Sequence, residues 1–112
     1  MRLLFCALVF VLSYAIPLHA EPVSIGTAVS SRADVTVTGS ATIVASANSA
    51  RAFLSCTNTS SSVNVRWGDS AVTSSRGQRV PFGSSVQITN TGDVYMISEG
   101  ANVTVSCTEE TR

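Results

Sequence analysis

From Val35 to the end of the chain, apolar and polar residues alternate with a period of two. Val63, Val65 and Trp67 alternate with Asn64 and Arg66. Val86 and Ile88 alternate with Gln87 and Thr89, and Ala101, Val103, Val105 and Cys107 with Asn102, Thr104 and Ser106. Ala52, Leu54 and Cys56 follow the same rule, with Phe53 the exception. Successive side chains of a strand point to opposite faces, so this pattern describes half-buried strands. The runs are cut by turn residues at Gly39-Ser40, Asn58–Ser62, Gly68-Asp69-Ser70, Arg76-Gly77, Pro81–Ser84, Thr91-Gly92-Asp93 and Glu99-Gly100. Together they predict strands at about 23–30, 33–38, 41–47, 51–57, 63–67, 78–81, 85–90, 93–98 and 101–108. Asn90–Asp93 and Ser98–Ala101 read as hairpin connections. Valine, threonine and serine are poor helix formers, and the turns recur regularly, so the expected fold is all-β: a small single-domain β-sandwich or jelly-roll-like barrel. The Ser/Thr-rich stretch 24–50 is less punctuated and reads as ordinary strands, an arm onto a neighbouring subunit being the other option.

The first 20 residues stand apart. Arg2 is followed by an apolar run from Leu3 to Val11 that continues through Leu12, Ala15 and Ile16. Pro17 breaks it, and Leu18-His19-Ala20 precedes Glu21-Pro22. A basic start, a short apolar centre and a small residue at the end make 1–20 a cleaved secretory signal peptide, with 21–112 as the β domain. The apolar centre falls short of the ~20 residues needed to span a bilayer, so no stable membrane span is expected once the leader is gone.

Export gives the cysteines meaning. Cys6 leaves with the leader, and Cys56 and Cys107 remain as a pair on apolar faces, positioned for a disulfide linking two strands across the core. Closing the 50 residues between them is worth roughly 4 kcal/mol in the loop-entropy model. A redox-active pair is the alternative, but there is no Cys-x-x-Cys spacing to support it.

Composition narrows the chemistry further. The chain contains no lysine, and its one histidine, His19, lies in the leader. The domain after the leader carries seven acidic residues against six arginines, a net charge of −1, and 29 of its 92 residues are serine or threonine. Histidine acid–base catalysis, histidine metal sites and lysine Schiff bases are excluded, and no base is at hand to activate a serine. No catalytic, cofactor or metal residue is nominated, and the expectation is a non-enzyme. Asp34, Asp69 and Asp93 are isolated, without the alternating aspartates of a calcium loop. Glu109-Glu110 reads as a solvated tail. A net negative domain also makes nucleic acid a poor partner.

The remaining candidates are surface contacts. Trp67 is in phase with Val63 and Val65 and reads as core rather than as a sugar-stacking platform. Tyr95 is out of phase with Val94 and Met96, which makes it a contact candidate. Arg66, Arg76 and Arg79 fall within 14 residues and could converge at one edge to grip carboxylates or phosphates; solvated arginines or inter-subunit ion pairs are the plainer reading. Asn58-Thr59-Ser60 and Asn102-Val103-Thr104 match the N-glycosylation pattern, which matters only in a pathway that glycosylates.

One segment carries a wider resemblance. It runs through Arg51-Ala52-Phe53-Leu54 and Asn58, Val63-x-Val65-Arg66-x-Gly68-Asp69, Ala71-Val72-Thr73 and Gly77. It continues in Pro81-Phe82-Gly83-Ser84-Ser85-Val86, Gly92-Asp93-Val94-Tyr95-x-Ile97 and Ala101-x-Val103-Thr104-Val105. Residues 51–107 resemble a small β domain of tailed-phage virion accessory and capsid-decoration modules. The resemblance implies a β-sandwich that acts by assembly on a protein scaffold or on itself. The leader adds export to that picture, and a secreted or periplasmic bacterial module that binds a cell-surface glycan or another protein is the competing expectation.

Overall fold

The structure is a computed structural model and describes residues 28–112. The signal-peptide reading of 1–20 and the first part of the expected strand 23–30 lie outside the described residues. Nine strands follow in chain order: β1 (Ala28–Ser31), β2 (Val35–Val37), β3 (Thr42–Ala45), β4 (Arg51–Asn58), β5 (Val65–Gly68), β6 (Gln78–Val80), β7 (Ser85–Ile88), β8 (Val94–Ser98) and β9 (Val103–Thr111). Each expected strand has its counterpart.

The strands form two antiparallel sheets packed as a sandwich. In sheet A, β9 and β4 are central and β7 is an edge. β1 and β2 share the other flank of β9, β1 against its C-terminal half and β2 against its start. Sheet B has the order β3-β8-β5-β6. The inward residues are those the alternation picks out: Leu54, Cys56, Val65, Val80, Ile88, Val94, Met96, Val103 and Val105 are buried, joined by Val37, Val44, Ala45 and Cys107. Trp67 faces the same layer and packs against this core, though it is only half-buried. In β3 the register slips between Ile43 and Ala45, and this bulge lets Val44 and Ala45 both turn inward.

Three expectations are corrected. Asn90–Asp93 and Ser98–Ala101 are not hairpin turns. β7 belongs to sheet A, β8 to sheet B and β9 to sheet A again, so both connections arch between the layers. Turn residues dictate that the chain reverses; they do not dictate which layer receives it. The hairpin is instead β5–β6, joined by the longer loop 69–77, where Trp67 pairs with Gln78. Its end requires glycine: Gly77 has φ 124°, and a Cβ there would lie 2.6 Å from Val72 Cγ2 and 2.8 Å from the Trp67 carbonyl oxygen. The disulfide does form, but within sheet A. Cys56 and Cys107 are directly opposite on neighbouring β4 and β9, with Cα atoms 4.1 Å apart, so it does not cross the core between layers. Finally, Glu109-Glu110 is no solvated tail, because β9 runs on to Thr111 and buries Glu109.

Candidate functional site

Two buried polar groups hold the frame on which any site must sit. Arg51 is fully buried. Its Nε donates to Glu109 Oε2 at 2.7 Å, one Nη to the carbonyls of Asn90 (2.8 Å) and Gly92 (2.9 Å), and the other to Ser46 O at 2.8 Å. Arg32 adds a second guanidinium at 3.2 Å from Glu109 Oε1. Burial of Glu109 pushes its carboxyl pKa up, but hydrogen bonds from Arg51 and Asn48, with the charges of Arg51 and Arg32, outweigh that and hold it below the usual carboxylate range. This arginine fastens one end of the sheet A ladder to the loops on either side. At the other end, buried Asn58 donates through Nδ2 to Val63 O (2.9 Å) and Val80 O (3.0 Å), and its Oδ1 accepts from Ser60 N (3.0 Å). It therefore ties a sheet A strand to sheet B. Its glycosylation match is closed off in the folded protein, whereas Asn102 is exposed just before β9.

The surface-contact candidates fall mostly on one surface. Register places Arg66 opposite Arg79 on β6 and Ile97 on β8, and Tyr95 opposite Ile43 on β3 and Gly68 on β5. All lie on the outer face of sheet B. Tyr95 is half-buried there. Ile43 is 41 % exposed. Arg66 and Arg79 converge on Glu99, which sequence reasoning passed over. Arg66 Nε reaches Glu99 Oε2 at 2.7 Å, and Arg79 grips the same carboxylate through Nε (2.9 Å) and Nη2 (3.2 Å). The Arg79 bond, with help from Arg66, lowers the Glu99 pKa despite partial burial. Two guanidiniums against one carboxylate leave this corner net positive. Arg76 does not join them. It sits on the β5–β6 loop, where its backbone exchanges hydrogen bonds with Thr73, and its side chain is exposed.

A second feature lies on the flank where β1 and β2 of sheet A stand beside β3 of sheet B. An open groove of about 370 Å³ runs there, walled by residues 30–33 and Val35 on one side and by 43–46 on the other. Among the described residues β3 pairs only with β8, and β1 only with β9, so each presents a free backbone edge. Val29 on β1 is 67 % exposed.

Among the described residues no group of three histidine, cysteine or acidic side chains is placed to hold a metal ion, and no helix is long and apolar enough to cross a membrane. No family model matches the chain, nor does any curated protein or solved structure. The resemblance drawn from residues 51–107 thus reaches as far as a small two-sheet β fold. The disulfide suits an oxidising compartment outside the cytoplasm.

Proposed function

We propose that this chain is an exported, non-enzymatic assembly module that docks on a protein scaffold or on copies of itself, in the manner of phage virion decoration and accessory modules. The carrying observation is the outer face of sheet B. There Ile43 and Tyr95 stand exposed or half-exposed beside an arginine pair whose charge Glu99 only half neutralises. An aromatic and arginines around a small apolar patch are the residue types that concentrate binding energy at protein interfaces. The internal charges, by contrast, are spent on the frame: Arg51, Arg32 and Glu109 bond to one another and to loop carbonyls. Light scattering at micromolar concentration, with co-sedimentation on virions or envelope fractions, tests this. Association that Tyr95→Ala or Arg79→Glu weakens supports it. A persistent monomer that ignores both fractions overturns it.

Glycan capture is the second reading, and Tyr95 is what favours it, as an aromatic on an outer face flanked by guanidinium donors. Trp67 does not contribute, because it faces the core. Binding on a glycan array that Tyr95→Ala abolishes would move this reading ahead.

A further inference from the structure

The two outer faces of the sandwich carry opposite charge. On sheet A, register sets Val29, Glu110 and Phe53 side by side across β1, β9 and β4. Leu54 and Glu109, next to them in the chain, are buried, so alternation turns these three outward. Val29 is exposed, and Glu110 and Phe53 are half-buried. The adjoining rows carry hydroxyls, Ser106 opposite Thr57 and Thr108 opposite Ser55. Asp34 lies on this side too, where its Oδ1 accepts from Ser106 Oγ at 2.8 Å. Arg112, one residue past β9, is turned onto the carbonyl of Arg51 at the margin. The ion pairs among the described residues use Glu99 and Glu109 and leave Glu110 out. The strand residues of this face thus present carboxylates.

Sheet B turns the other sign to solvent. Arg66 and Arg79 share the one carboxylate of Glu99, and the loop 69–77 adds one charge of each sign at the rim, Asp69 and Arg76. Beside the arginine pair, Tyr95 stands opposite Ile43. Each face therefore holds one aromatic residue, one β-branched aliphatic residue and an excess of one charge. The two faces point in opposite directions, with the core between the sheets. Sheet B against sheet B would set arginines on arginines, and sheet A against sheet A would set carboxylates on carboxylates. Like charges facing each other suppress such pairings. Sheet A against sheet B matches charge with countercharge and apolar with apolar, and the hydroxyl rows supply neutral hydrogen-bonding groups around that contact.

We propose that the partner of the sheet B face is a second copy of this chain, which presents the outer face of its sheet A. Glu110 of one copy then meets Arg66 and Arg79 of the next, and Val29 and Phe53 meet Ile43 and Tyr95. This rests on the assembly reading and names its partner. A contact between two different faces is head-to-tail, so it closes into rings or runs on as filaments. The full chain is followed by light scattering at micromolar concentration, with circular dichroism to check the fold of each variant. Glu110→Arg alone and Arg79→Glu alone should each weaken self-association by roughly tenfold or more, because each sets like charges face to face. An equimolar mixture of the two variants should restore it, since contacts with the pair reversed then alternate with wild-type ones. The two residues lie on opposite faces, so this rescue singles out a contact between faces of different sheets. Phe53→benzoylphenylalanine in a mixture of ¹⁴N and ¹⁵N chains should give mixed-isotope cross-links to peptides holding Tyr95. Self-association that either swap leaves intact, or that the mixture does not restore, overturns the proposal and leaves the assembly reading standing. A chain that stays monomeric yet binds virions or envelope fractions does the same. If a swapped variant fails to fold, the cross-link decides, and a self-associating chain without mixed-isotope links overturns the proposal. A monomer that binds neither fraction overturns both.

Discussion

Replacing Glu109 by alanine removes the counter-ion of a guanidinium that has no access to water. Arg51 is 0 % exposed and places four hydrogen bonds, one on Glu109 and three on loop carbonyls. The three carbonyl bonds persist in the variant, but they carry no formal charge, so a cation is left buried and unpaired. Such losses cost about 3–5 kcal/mol. A domain of this size is stable by roughly 5–10 kcal/mol, so the variant should forfeit a third or more of the total. With a urea slope of about 1–1.5 kcal/mol/M for a small domain, the unfolding midpoint should fall by roughly 3 M. Trp67, the single tryptophan, supplies the fluorescence signal, and the disulfide is kept oxidised throughout. Arg51→Met alone should be comparably harmful, since it takes the shortest ion pair from the buried Glu109 carboxylate and the guanidinium donor from three loop carbonyls. Combined with Glu109→Leu it should cost less than the two single changes added together, by about 2 kcal/mol. Acid provides a second axis. The folded pKa of Glu109 lies below the ordinary carboxylate value, so its stabilisation is complete above that range and is lost as pH falls through the folded value. The wild type should therefore lose stability below about pH 4 more steeply than Glu109→Ala. Single substitutions that cost under about 1 kcal/mol, or costs that simply add, would refute the claim that this pair holds the ladder to its loops.

Four further outcomes can be checked. Replacing Cys56 and Cys107 with alanine, or reducing them, should cost roughly 4 kcal/mol in denaturant titrations, and an unchanged midpoint would show that the bridge restrains nothing. Gly77→Ala should destabilise by about 2 kcal/mol or more, because it combines a left-handed backbone with a clash against Val72; a change within 0.5 kcal/mol would contradict the hairpin geometry. Arg79→Ala should alter the melting free energy by no more than about 1 kcal/mol, since Arg79 is half exposed, which frees it for binding assays. In a eukaryotic secretory host, folded product should carry glycan at Asn102 and not at Asn58. Mass spectrometry of the folded fraction reads this directly, and a glycan on Asn58 would contradict its burial.

The strand pattern was legible because alternation is a local property, and each of β2 to β9 follows from its own few residues. Layer assignment was not, because Asn90–Asp93 and Ser98–Ala101 have the chemistry of turns whether the next strand pairs with the previous one or crosses to the other sheet. Glu109 was within reach. The inward phase of Val103, Val105 and Cys107 extends by one more step to residue 109, and a charged residue in that phase calls for a buried partner. The partner was hidden, because a register shift between Arg51 and Phe53 breaks the alternation that would otherwise point Arg51 outward. Of the contact candidates, Arg66, Arg79 and Tyr95 share one face because they sit on adjacent strands in matching phase, and the sequence supplied the phase but not the adjacency. Glu99 carried no pattern of its own. It gains meaning only when β5 and β6 bring two arginines to it.

The position of the disulfide has a mechanical consequence. Cys56 and Cys107 bracket β5, β6, β7 and β8, so four of the nine strands belong to one covalent ring. A pull applied between the two ends of the domain passes from β4 directly into β9 through the sulfurs and bypasses that ring. Even with the sandwich torn open, the 50 residues inside the ring contribute no extension, which withholds roughly 170 Å of contour. A protease cut in any loop between those strands likewise leaves both fragments attached. Under tension or attack, the oxidised module gives way by a short, bounded length where its reduced form would unravel.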